Sequence, residues 1–232
     1  RRRHTRFKCD WSSDVCSSDL LAVAVIMLVS TSNANATGKQ VSYASIGDAI
    51  KVLKVAPESR TGYVRTKFKH WVNSDGNKLG CDARKEAIIR DAEVKPKVDK
   101  GCVLTGGKWL SLYDNVVVEK AGSLDVDHMV PLAEAWDSGA SAWTPEKRQT
   151  YANDLSDPRH LRSVTGSSNR SKSDKDPAEW LPTNKNYLCT YLSDWVSIKI
   201  RWSLTVDQKE LDVLKKDSAS CPKKAIVLTP VS

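Results

Sequence analysis

The chain has 232 residues, is 40% hydrophobic and 28% charged, and carries a formal net charge of +8. That length allows one domain with a real core, and the composition excludes a disordered or low-complexity chain. The basic balance favours a polyanionic partner and leaves the fold open, and the eight Trp against two Phe read first as core.

From the N-terminus, Cys9 to Leu20 (CDWSSDVCSSDL) resembles the conceptual translation of a sequencing-adapter oligonucleotide joined to a truncated leader. Residues 1–20 are set outside the fold on that reading. They contribute +2, so the remainder of the chain stays at +6. The ten-residue apolar run from Leu20 to Val29 is too short to span a bilayer and fits the core of an export signal. Ala34-Asn35-Ala36 then gives the small-x-small pattern that signal peptidase cuts. The expectation is a signal remnant over 20–36, a mature domain over 37–232, and an exported protein with no stable membrane association. With Cys9 and Cys16 set aside, Cys81, Cys102, Cys189 and Cys221 remain, and four cysteines in an exported chain read as two disulfides. Of the three connectivities, 81–102 with 189–221 is preferred because each bridge joins neighbours within one half. Each such loop contributes roughly 3 kcal/mol in the chain-entropy picture.

Further along, Ser45 caps a helix expected over Ile46 to Val55, ending before Pro57. Asn73 to Asn77 (NSDGN) reads as a turn. With Glu86 it faintly resembles an EF-hand loop, although Glu86 lies two residues too far along. Asp82 to Ala92 has helical spacing, and Cys102 to Val118 reads as two or three short strands around a Gly-Gly turn. Leu124 to His128 and His160 to Val164 read as short strands. Helices are expected from Pro131 to Trp136, from Thr144-Pro145 to about Asn153, from near Asn169 with Ser167 or Ser168 as cap, over roughly 186–202, and over 206–216 behind Thr205. His70 beside Trp71 reads as a surface histidine next to a core tryptophan, and the lysines at 95, 97, 100, 172 and 175 read as solvated faces. The class is α+β: a helix-rich single domain with a small antiparallel strand pair.

The segment Leu124-Asp125-Val126-Asp127-His128-Met129-Val130-Pro131 carries the chemistry. A carboxylate beside an imidazole at a strand end suits metal-assisted phosphodiester cleavage, one group holding a cation and the other deprotonating water. On a strand the two side chains point to opposite faces, so the backbone has to turn there for both to serve one site. Downstream, the strand through Val164 runs into a helix presenting Asn169 and Lys172 on one face. Strand, strand and helix form a compact cradle of oxygen donors for a hard cation.

At LDVDHMVPLAEAWDSGASAW, YANDL, SSNRSKSDKDPAEW and CTYLSDWVSIKIRWSLTVDQKE the sequence resembles the HNH nucleases of the ββα-metal superfamily. It is more closely similar to the exported bacterial HNH-family proteins related to the C-terminal domain of GmrSD-type restriction enzymes. The resemblance runs from about Tyr63 to Cys221 and places a ββα core at about 122–178. It implies Asp127 and Asn169 as metal ligands, His128 as general base and Asp125 as support behind them. His160 falls at the middle position of the motif, usually Asn, and is carried with Lys172 and Arg84 as a further candidate catalytic residue; Arg170 ranks below these. The implied cofactor is a divalent metal, Mg²⁺ first, with Mn²⁺, Ca²⁺ or Zn²⁺ as alternatives, and the implied substrate is nucleic acid, DNA favoured over RNA. The rival readings are a noncatalytic nucleic-acid or envelope-binding module on the same scaffold, and a phosphoesterase for small substrates.

Overall fold

The ends of the folded chain are brought together by an antiparallel ladder between β1 (Val41–Tyr43) and β8 (Ile226–Leu228). The computed structural model describes residues 39–73 and 78–231, so the adapter-like stretch, the apolar run and the centre of the NSDGN turn lie outside the described residues. Thr37–Ser232 forms one compact unit. It is a mixed α and β domain with seven α-helices and four two-stranded antiparallel ladders among the described residues.

Local sequence accounts for most of the elements. Ser45 caps α1 (Ile46–Ile50), accepting from the Asp48 amide, and Asp82 caps α2 (Ala83–Asp91) in the same way from the Lys85 amide. The helix expected over Ile46 to Val55 stops five residues early: Val55 bridges Val206, and that tertiary pairing draws the chain out of helical geometry. β2 (Lys97–Asp99) pairs with β3 (Val103–Thr105), and β4 (Trp109–Ser111) pairs with β5 (Val116–Val118). Gly106 and Gly107 turn between β3 and β4 with φ of 68° and 95°, where a Cβ on Gly107 would overlap the Trp109 ring. β6 (Leu124–His128) occupies the expected segment, α3 (Leu132–Asp137) follows Pro131, and α4 (Pro145–Ala152) starts behind the Thr144 cap. β7 (Leu161–Thr165) pairs with β6 over five residues, from Leu124 opposite Thr165 to His128 opposite Leu161. The helix expected near Asn169 begins earlier, as α5 (Gly166–Lys172). Its cap is Thr165 rather than Ser167 or Ser168, because the Thr165 hydroxyl reaches the Ser168 amide. α6 (Leu188–Arg201) precedes α7 (Gln208–Ser218), which Asp207 caps in place of the expected Thr205.

Two hydrophobic clusters flank the β6–β7 ladder. The larger centres on α6, whose Leu192, Trp195, Val196 and Ile198 are buried against residues of α1, α3 and α7. The smaller gathers Ala87 and Ile88 of α2 with Trp109, Leu124, Val126 and Leu161. Disulfides join Cys81 to Cys102 and Cys189 to Cys221, tying α2 to the turn before β3 and the start of α6 to the segment after α7. No helix among the described residues is long and apolar enough to cross a membrane.

The larger core encloses an ammonium group. Lys199 of α6 is fully buried and donates to Glu134 Oε1 (2.5 Å), Ser138 Oγ (2.7 Å), the Thr205 carbonyl (2.9 Å) and Glu210 Oε2 (3.1 Å). It therefore locks α3, α6 and α7 together, and its removal strands two buried carboxylates. Lys199→Met is expected to lower the unfolding free energy by about 3–5 kcal/mol at neutral pH in urea titrations. The deficit should shrink on acidification, because protonation neutralises the carboxyls left without a partner.

Candidate functional site

Strand alternation sorts the side chains of β6. Leu124 and Val126 turn toward the smaller cluster with α2, while Asp125 and Asp127 turn toward α5. Asp127 is 5% exposed, and its Oδ2 accepts from the Tyr113 hydroxyl (2.6 Å) and from Lys172 Nζ (2.8 Å), with Oδ1 also 3.0 Å from Nζ. Lys172, at the last position of α5, is fully buried and donates as well to the His128 carbonyl at 3.0 Å. One ammonium thus fastens the end of the helix to the end of the strand. Burial pushes the Asp127 carboxyl up and the Lys172 ammonium down, each against the attraction of the other. At the midpoint of α5, Asn169 donates from Nδ2 to Asp125 Oδ2 at 3.2 Å, which leaves its amide oxygen as the free end.

His128 ends the strand on the opposite face. Its Nε2 lies 2.9 Å from the Ala152 carbonyl, and a carbonyl only accepts, so Nε2 carries the proton and Nδ1 keeps the lone pair. Trp71 stacks on the imidazole at 5.3 Å between centroids and 27° between planes, and Tyr151 lies parallel on it at 6.5 Å. Burial, then the proximity of His160, holds the His128 imidazolium well below the usual histidine range. The support is built from a distance in sequence. Asn153 Oδ1 accepts from the Val72 amide (3.0 Å), and its Nδ2 donates to the Lys69 (2.8 Å) and Gln149 (2.7 Å) carbonyls. That amide ties the segment before Cys81 to the end of α4, beside the carbonyl that orients the imidazole. Trp71 sits at φ 58°, a left-handed conformation that a bulky residue adopts only when its surroundings enforce it.

The two faces meet at a cavity of about 240 Å³ lined by Asp127, His128, Asn169, Arg65, Arg170 and Asp174, among others. Asp127 of β6 and Asn169 of α5 bring oxygen donors to it, and Ser173 and Asp174 also line it. Asp127 Oδ1 accepts one hydrogen bond and keeps a lone pair, so the donor set fits a hard divalent ion that retains water. Asp125 stands behind Asn169, 3.6 Å from Arg170 Nη1. The structure does not bring His160 to this cavity: its ring is fully buried, 4.5 Å from Tyr151 and 6.0 Å from Trp202, and burial depresses it too. Arg84 donates to the Leu124 carbonyl at 2.6 Å and lines a different cavity with Cys102 and Gly122. Lys172 faces Asp127 and is wholly enclosed. The cations lining the site are Arg65 and Arg170. Sequence reading missed Arg65 and Tyr113, which carry no local motif, and the roles of the Ala152 carbonyl and of Asn153, whose contacts the YANDL motif does not reveal. It saw Trp71 only as a neighbour of His70, the ring that stands 5.4 Å from it.

Residues 81–217 match the family described as GmrSD restriction endonucleases, C-terminal domain. The chain is also 39% identical over 170 residues, 73% of its own length and 81% of the relative's, to a protein of Arthroderma benhamiae (strain ATCC MYA-4681 / CBS 112371) named as an uncharacterized secreted protein. That relative is fungal, so a bacterial source does not follow from the comparison. No solved structure matches the chain. Arg65 and Trp71 both precede the matched residues.

Trp71 covers one face of the imidazole, so Trp71→Ala should let water reach His128 and raise its pKa toward the usual value near 6.5. An NMR titration of the His128 ring should show that rise in Trp71→Ala and little change in Trp71→Phe. An unaltered titration in the alanine variant would show that the indole does not shield the imidazole.

Proposed function

The chain belongs to the family of GmrSD restriction endonucleases, C-terminal domain, and on that premise we propose that it is an exported, metal-dependent endonuclease of the HNH type. It hydrolyses phosphodiester bonds, in DNA in preference to RNA, with His128 as general base. The family supports a nuclease-like role, a nucleic-acid substrate and a divalent metal. The observation that carries the finer reading is the 2.9 Å contact from His128 Nε2 to the Ala152 carbonyl, beside a cavity that also holds Asp127 and Asn169. Export is supported by the two disulfides and by the name of the fungal relative; cleavage after Ala36 belongs to the same proposal.

Asp127 and Asn169 would hold the ion, Mg²⁺ first, which supplies Lewis-acid polarisation of the scissile phosphate when bound. His128, neutral because burial disfavours its charged form, takes the proton of the attacking water at Nδ1. The Ala152 carbonyl holds the tautomer that leaves Nδ1 basic, and the Nε2 hydrogen bond strengthens as positive charge builds on the ring. Tyr113 and Lys172 fix the Asp127 carboxylate in one orientation, and Asp125 does the same for the Asn169 amide. Arg65 and Arg170 at the rim pair with the phosphates flanking the scissile one.

The ion pair between Lys172 and Asp127 favours a second reading, a noncatalytic nucleic-acid or envelope-binding module, because it spends part of the carboxylate on a protein cation. A plasmid-nicking assay with purified protein separates the two. The nuclease reading expects nicking with Mg²⁺ or Mn²⁺, none with chelator, and a rate about 10²–10⁴-fold lower in His128→Ala. It also expects an acidic limb of the pH–rate profile below about pH 6.5, in keeping with the depressed imidazole. Intact plasmid, together with steeply salt-dependent binding that needs no metal, would establish the module instead.

A further inference from the structure

Away from the His128 cavity, three carboxyl groups converge on one point. Glu58, in the loop after α1, meets Glu134 and Asp137 of α3, and one oxygen from each lies within 4.8 Å of the other two. Part of this charge is already answered: Lys199 and Ser138 hold Glu134 Oε1, and Arg60 Nε holds Asp137 Oδ2 at 2.6 Å. Part is not. The Asp137 side chain is only 6% exposed, yet its second oxygen, Oδ1, is buried with no hydrogen-bond partner, and the same is true of Glu58 Oε1. A buried carboxylate oxygen without a donor costs about 1–3 kcal/mol or more, so it calls for an occupant.

We propose that Glu58, Glu134 and Asp137 form a second divalent-cation site, separate from the His128 cavity, with Ca²⁺ as its ion. The donors are all hard oxygens, which select against soft metals. Calcium takes oxygen ligands at about 2.3–2.6 Å, so two ligands on opposite sides of the ion stand about 5 Å apart, and oxygens within 4.8 Å of one another lie inside that reach. An exported chain meets calcium at concentrations where extracellular modules bind it. Burial, then repulsion from Glu134, pushes the Glu58 carboxyl up to about 8, and burial raises Asp137 despite Arg60.

The site has a structural consequence. Arg60, two residues after Glu58, also donates to Asp174 at 3.0 Å, and Asp174 lines the His128 cavity. An ion here would pin the 58–65 loop, which supplies Arg65 to that cavity, onto the helix that leaves β6. The role is positional, and it stands whether or not the chain cuts nucleic acid.

The test uses purified protein stripped with chelator and dialysed. Adding Ca²⁺ at roughly 100 times its dissociation constant is expected to raise Tm by about 5–10 °C. Tb³⁺ is expected to bind with luminescence sensitised by the neighbouring Trp136 and to be displaced by Ca²⁺. Both responses should be lost in Glu58→Gln and in Asp137→Asn and retained in Asn169→Ala. Glu58 is only partly buried and lies outside any helix, and Gln keeps its size and shape, so Glu58→Gln is expected to fold and leaves the result readable. Absence of both responses in the unaltered protein, their persistence in Glu58→Gln, or their loss in Asn169→Ala would each overturn the proposal. In the first case the cluster holds its charge by sharing a proton between Glu58 and Glu134.

Discussion

A single buried ammonium sets the geometry on which the candidate site depends. Lys172 reaches both the Asp127 carboxylate and the His128 carbonyl, so the last residue of α5 is fixed to the last two residues of β6. Neither partner gains over its hydrated state by this burial, since a desolvated ion pair seldom repays what water provided. What the contact contributes is registration. With the helix held at its C-terminal end and capped by Thr165 at its start, Asn169 is left facing Asp125 and the cavity, with little freedom to turn elsewhere. A second buried ammonium, Lys199, does the same for the helices behind it, and both stand over the ring of Trp195, at 5.9 and 5.5 Å.

The imidazole is organised by different means. His128 belongs to the face of β6 shared with Leu124 and Val126, and the hydrogen bond that holds its ring runs to the main chain and not to a charged side chain. Its orientation comes from a backbone carbonyl at the end of α4 and from an indole in a segment outside the family match. That segment is held by Asn153 on one side. On the other, the Val72 carbonyl accepts from Ala83 at the start of α2, which the Cys81–Cys102 bridge anchors. The disulfide therefore supports the cover over the candidate base through three short covalent and hydrogen-bonded steps. Adjacent residues on one strand come to share a cavity because β6 ends at His128, so the faces that alternation separates are both open to its edge.

Much of this was legible along the chain because it depends on local chemistry. Period-two alternation in LDVDH marks β6, Ser45, Asp82 and Thr144 mark helix starts, and Gly106-Gly107 marks a turn that no other residue pair would make as easily. The nearness of Asp127, His128 and Asn169 follows from a strand–strand–helix order readable in sequence. Strands β1, β2 and β8 were not legible, since three residues outside a longer strand-like stretch carry too little pattern to stand out. The early end of α1 was equally hidden, because Val55 leaves the helix for a partner 151 residues away.

The sequence by itself determined which chemical groups this protein can bring to bear: an acid–base dipeptide at a strand end, an amide on the following helix, four cysteines after residue 37 and an excess of basic charge. Only the tertiary structure decided what each group does. It made Lys172 the counter-charge of Asp127, sent Arg84 to another cavity and put Arg65 in the site, enclosed His160 among aromatic rings, and gathered three carboxyls from two segments. The physical reason is that burial and long-range contact, not residue type, settle whether a titratable side chain meets solvent, a partner or an open cavity.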